Sequence, residues 1–149
     1  MKNLNDIWYL LDKQFSKYPQ DVVGSASPKE ITQGEKDLGV KFNDEYKKFL
    51  SKYGGACIGS KLIYGLRKHK DMSDDHSNVI KLTNFYRNQN WPNTDKWYIV
   101  SDDFDGNPIG IDPEGKVWLS DHDSGFELVK LADSFEEFLY KLYTDTLYQ

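Results

Sequence analysis

Four apolar runs decide the fold: Trp97-Tyr98-Ile99-Val100-Ser101-Asp102, Pro108-Ile109-Gly110-Ile111-Asp112, Lys116-Val117-Trp118-Leu119-Ser120-Asp121 and Phe126-Glu127-Leu128-Val129-Lys130-Leu131. Three tripeptides separate them: Asp105-Gly106-Asn107, Pro113-Glu114-Gly115 and Asp123-Ser124-Gly125. The runs are short, rich in β-branched and aromatic residues, and follow a period of two. Each tripeptide supplies a glycine together with Asp, Asn, Pro or Ser, the residues that turn a chain back on itself. The pattern predicts a four-stranded antiparallel meander.

Upstream the period changes to that of a helix. Leu4, Ile7, Trp8, Leu11 and Phe15 recur at helical spacing until Pro19, which predicts a first helix over 4–18. Ser27-Pro28-Lys29-Glu30 reads as a capping box with proline at the first helical position, and Gly39 suits the left-handed turn that ends the helix. Asn43 is the predicted cap of a third helix, with Tyr46, Phe49, Leu50 and Tyr53 on one face before Gly54-Gly55. Residues 58–66 read as one strand, and 67–77 as a polar loop. Residues 78–90 read as a helix with Val79, Leu82, Phe85 and Tyr86 inward, broken by Trp91-Pro92. Asp133 and Glu136 form a second predicted capping box for a closing helix that turns Phe135, Phe138, Leu139 and Leu142 inward. Helices flanking a mainly antiparallel sheet make an α+β fold, and 149 residues without repeat or linker make one domain over 1–149.

Composition narrows the function. A net charge of −5 and a pI near 5.2 disfavour nucleic acid as a ligand, since phosphate contacts need Lys and Arg. The same charge steers a basic protein partner. Aromatics make up 15% of the chain, enough to serve both a core and a recognition surface. Cys57 is the lone cysteine, so no internal disulfide is expected. It has no neighbouring base and reads as a buried structural thiol. The polar start Met1-Lys2-Asn3-Leu4-Asn5-Asp6 lacks a signal-peptide core, and no apolar run approaches membrane-spanning length, so a cytoplasmic location is expected.

Three stretches resemble the SUKH superfamily, in particular its Smi/Knr branch. They are Glu35-Lys36-Asp37-Leu38-Gly39 through Asp44–Leu50 to Tyr53-Gly54-Gly55; Leu62-Ile63-Tyr64-Gly65; and Asp105-Gly106 through Gly115-Lys116-Val117 and Asp121-His122 to Ala132–Leu139. Order and spacing match over roughly residues 27–142. One departure is visible: the family places Leu-Pro before its Asp-Tyr-Lys helix, where this chain has Lys41-Phe42-Asn43. The resemblance implies a scaffold and a role without a shared catalytic site. Members include yeast cell-wall-synthesis regulators and bacterial immunity proteins that bind toxins such as nucleases and deaminases. It therefore implies a protein partner, a cognate toxin in the bacterial branch, and no cofactor. A regulatory interaction module without a toxin is the alternative from the yeast branch.

The residues offer several chemistries. Asp102, Asp103, Asp105, Asp112, Asp121 and Asp123 fall at strand ends or in turns of the meander. As turn formers they shape hairpins. As an acidic patch they mimic nucleic-acid phosphate and fill a basic toxin cleft. As ligands, Ser101, Asp103, Asp105-Gly106 and Asp112 partly imitate a calcium loop, but the first position is Ser and the last is Asp rather than Glu. A carboxylate hydrolase is a further alternative, although no pair is singled out. Trp118 alternates with Val117 and Leu119, so it is either an exposed anchor among these acids or core, depending on whether helices cover both faces of the sheet. The expected partner surface is thus Asp102, Asp103, Asp105, Trp118, Asp121 and Asp123, with no catalytic residue and no metal. His69, His76 and His122 lack the spacing of a zinc site. No phosphate-binding glycine loop, nucleophile elbow or HExxH occurs.

Overall fold

Local capping chemistry sets where the helices begin. In a computed structural model, which describes residues 6–67 and 78–148, α1 spans Asp6–Lys17 and buries Ile7, Trp8, Leu11 and Phe15. α2 (Pro28–Leu38) opens on the reciprocal box: Glu30 N donates to Ser27 Oγ at 3.2 Å and Ser27 N donates to Glu30 Oε1 at 3.0 Å. Gly39 ends it at φ 66°, a region that costs a side chain strain. Asn43 Oδ1 accepts from Glu45 N at 2.9 Å and starts α3 (Asp44–Lys52). Caps of this kind contribute about 1 kcal/mol each. The predicted start of the first helix at Leu4 and the loop histidines His69 and His76 lie outside the described residues.

The sequence expectation fails at four places, the smallest being Cys57, which is half-buried rather than buried. Residues 58–66 are not one strand. β1 (Ala56–Ile58) and β2 (Lys61–Ile63) form an antiparallel hairpin that turns at Gly59-Ser60. In α4 (Val79–Asn88), Val79, Leu82 and Tyr86 are buried, but Phe85 is 37% exposed; its place inside is taken by Thr83, whose Oγ1 accepts Ile99 N at 2.8 Å. The closing helix α5 (Phe135–Tyr143) is capped one residue later than predicted. Ser134 Oγ accepts Glu137 N at 3.1 Å, and Glu137 Oε1 accepts Asp133 N at 3.1 Å.

The meander is as the period of two requires. β3 (Tyr98–Asp102), β4 (Pro108–Ile111), β5 (Val117–Asp121) and β6 (Glu127–Ala132) pair antiparallel in sequence order. Tyr98, Ile111 and Val117 align across the sheet and face α3 and α5. There the Tyr46 ring lies 5.2 Å from Tyr98, 5.2 Å from Phe42 and 5.4 Å from Phe135. Such aromatic pairs contribute about 0.5–1.5 kcal/mol beyond their buried area. The Tyr46 hydroxyl, fully buried, donates to Tyr64 O at 2.7 Å, and burial pushes its pKa well up. The buried apolar side chains form one contiguous cluster.

The opposite face carries Ile99, Gly110 and Trp118. It is covered in part by the α4–β3 connection. A Cβ on Gly110 would lie 2.7 Å from the Trp97 ring, which explains a glycine in mid-strand. Trp91 reaches Ser120 Oγ with its indole N–H at 2.9 Å. Trp118 is therefore neither a free anchor nor full core. It is half-buried, and its Nε1 donates to Asp112 Oδ2 at 2.9 Å.

Candidate functional site

β3 and β5 both run against β4, so the β3–β4 and β5–β6 turns share one end of the sheet and the β4–β5 turn lies at the other. That topology brings Asp102, Asp103, Asp105, Asp121 and Asp123 to one end. It sends Asp112 to the opposite end, with Trp118 leaning towards it. The calcium-loop pattern is thereby pulled apart, because Asp103 and Asp112 flank the two ends of β4.

Most of these carboxylates serve the turns themselves. Asp103 Oδ1 accepts the N–H groups of Asp105 (3.0 Å) and Asn107 (2.9 Å), and Oδ2 accepts Asn107 Nδ2 (3.0 Å). Asp121 Oδ1 accepts Asp123 N at 3.0 Å and Oδ2 accepts Ser124 Oγ at 3.1 Å, which caps a 3-10 turn over His122–Ser124. Asp112 repeats the device at the far end with Glu114 N and Lys116 N. Asp102 is half-buried. Its carbonyl accepts Lys61 Nζ at 3.0 Å, and burial lowers the Lys61 pKa against the raising pull of Asp102 and Asp103. Asp105 and Asp123 are exposed; among the described residues their carboxylates make no hydrogen bond beyond a 3.2 Å contact of Asp123 with His122 Nε2.

Asn107 locks the two turns together. It is 2% exposed, and its Oδ1 accepts both the His122 backbone N–H (3.0 Å) and a bond from His122 Nδ1. An amide oxygen only accepts, so Nδ1 carries the proton in this contact. Beside the lock, Phe126 sits at φ 64°, an uncommon conformation for a bulky side chain, with its ring edge-on to Trp91 at 5.3 Å. Asp121, His122 and Asp123 place ligand atoms within 4.8 Å of one another. Both Asp121 oxygens and His122 Nδ1 are already engaged, so this geometry favours a turn over a metal centre.

Sequence reasoning missed the aromatics of this end. Phe104, between Asp103 and Asp105 at the turn tip, is 90% exposed, Tyr148 is 65% exposed and Phe126 is 43% exposed. The signal was present in one case: an aromatic at the tip of an Asp-rich turn stands outside the core, and here its ring meets only the Lys61 ammonium, 5.6 Å from its centroid, among the described residues.

A family model for SMI1/KNR4 (SUKH-1) matches residues 25–141. The chain belongs to the SMI1/KNR4 family. In this SUKH-1 chain the matched stretch runs from just before the α2 cap to the last turn of α5, so α1 and residues from Leu142 onward lie outside it. The stretches that carry the resemblance are structural: Tyr46, Phe49 and Leu50 are core, and Asp105-Gly106 and Gly115 are turns. No curated protein matches the chain. No helix among the described residues is long and apolar enough to cross a membrane.

Proposed function

We propose that this SUKH-1 chain is a non-enzymatic binding protein of the immunity type. It neutralises a cognate toxin by docking on it and covering its active site or substrate path, without a cofactor. The surface proposed is the turn end of the meander: Asp102, Asp103, Asp105, Asp121 and Asp123. Trp118, on the adjoining face of β5, joins only if the partner wraps over β6. The observation that carries this reading is the juxtaposition at one end of two exposed carboxylates and an almost fully exposed phenylalanine on turns that Asn107 holds together. Charge there steers a basic partner such as a nuclease, and a rigid frame lowers the entropy lost on docking. Across residues 78–148, acidic side chains outnumber basic ones roughly two to one, which adds to the steering.

Co-expression tests the role. The reading frame adjoining this gene is expressed in bacteria with and without the chain, and growth is followed. Arrest that the chain relieves supports immunity. A harmless neighbour, or arrest that is not relieved, shifts the reading to a regulatory interaction module without a toxin.

A further inference from the structure

Beside the acidic end lies a groove of about 370 Å3 between the β1–β2 turn, the β3–β4 turn and the end of α5 with the residues after it. Its floor is Ile58, Leu142 and Leu147, all buried. Phe104, Tyr143 and Tyr148 stand at its mouth, each exposed. Single exposed apolar residues are ordinary on a protein surface. Three aromatic rings around one apolar-floored hollow are a different arrangement, the kind in which an inserted side chain becomes the centre of an interface.

The charges around the groove select its occupant. Lys61 and Lys141 line it, but both ammonium groups are engaged: Lys61 Nζ donates to Asp102 O at 3.0 Å, and Lys141 Nζ donates to Leu131 O at 2.8 Å and lies 3.4 Å from Glu137. The carboxylates of Asp102 and Asp103 act on Lys61, those of Asp103 and Asp105 act on the Tyr148 hydroxyl, and Asp145 lines the wall. Both lysines keep their charge, but the carboxylates of Asp102, Asp103, Asp105, Glu137 and Asp145 outnumber them around the groove, and basic residues flanking an apolar one complement that surround. From Leu142 onward the wall lies beyond the family match.

We propose that this groove seats one large apolar side chain presented by a lysine- or arginine-rich segment of the partner protein. The proposal rests on the reading of the turn end as the partner surface and deepens it. A groove of this size accepts a single aromatic or long aliphatic side chain, and the neighbouring Asp105 reaches its basic flanks.

The test is a titration of the full-length, isotope-labelled chain followed by amide chemical shifts. Three probes are used: acetyl-Lys-Arg-Trp-Lys-Arg-amide, its Trp-to-Ala counterpart, and acetyl-Asp-Glu-Trp-Glu-Asp-amide. The first is expected to move the amides of Gly59, Ser60, Phe104 and Leu147 and to bind at least about tenfold more tightly than the others. Phe104→Ala and Tyr148→Ala, both at exposed positions that leave the fold intact, each weaken it by about tenfold. If the alanine peptide binds equally well and shifts only the amides around Asp105 and Asp123, the groove is eliminated while the acidic surface stands. If the acidic peptide binds as well as the basic one, the charge selection fails, and the acidic-surface reading with it. No movement of the groove amides at millimolar peptide overturns the proposal.

Discussion

Asn107→Ala tests the frame on which the turn end depends. The side chain is 2% exposed and makes three bonds: to Asp103 Oδ2 at 3.0 Å, from His122 N at 3.0 Å, and from the His122 ring. Asp103 Oδ2 and the His122 ring are open enough to find water after truncation. The His122 backbone N–H is the group most at risk of being left without a partner. That N–H is part-buried; a donor left without a partner costs about 1–3 kcal/mol, and two partly compensated bonds add about 0.5 kcal/mol each. The expected loss is about 2–4 kcal/mol, a fall in Tm of roughly 4–16 °C for a chain of this size. Urea unfolding followed by circular dichroism measures it. Phe104→Ala is the control at the same turn and stays within about 0.5 kcal/mol of the parent, because its ring is exposed. If Asn107→Ala is equally silent, the two turns are not locked by this amide and the preorganised surface loses its basis.

Other expectations follow from the same geometry. Charge reversal separates structural from surface carboxylates: Asp105→Lys with Asp123→Lys leaves stability within about 0.5 kcal/mol. Asp103→Lys with Asp121→Lys costs about 1–3 kcal/mol per site, read by thermal melts, because those oxygens hold backbone N–H groups. Gly110→Ala drives a methyl to 2.7 Å from Trp97 and 2.9 Å from Ile99, an overpacking cost of about 1–3 kcal/mol in urea unfolding. Hydrogen bonds from Arg67, then from the Ser27 backbone, hold the Glu30 carboxyl down at about 2 from its usual 4.5. A depressed carboxylate stabilises the fold above about pH 4.5 and loses that effect as pH falls towards about 2. The Tm difference between parent and Glu30→Gln should therefore shrink across that window, and a constant difference would contradict the assignment.

The sequence disclosed whatever was local. Ser27 with Glu30, and Asn43, announced their helices because a cap is a contact within four residues. The meander was legible because period-two runs alternate with turn tripeptides. The β1–β2 hairpin was not, since three-residue strands are too short to show a period and Gly59-Ser60 reads as strand interior. Asp133 and Ser134 offer overlapping boxes with Glu136 and Glu137, and only the packing of α5 chooses between them. Phe85 failed because a helical stripe does not say where the sheet beneath it ends. The aspartates were visible as a set, but their division into turn formers and free charges depends on which N–H groups the folded turns present. The groove was invisible, because it joins residues near 59, 104 and 148 that meet only in three dimensions.

The most direct measurement of the central claim is calorimetric titration of the purified chain with an inactivated form of the protein encoded beside it. The account predicts a saturable one-to-one complex whose affinity falls when Asp105 and Asp123 are reversed, and falls further at high salt. No binding heat, or a complex indifferent to both changes, would contradict it.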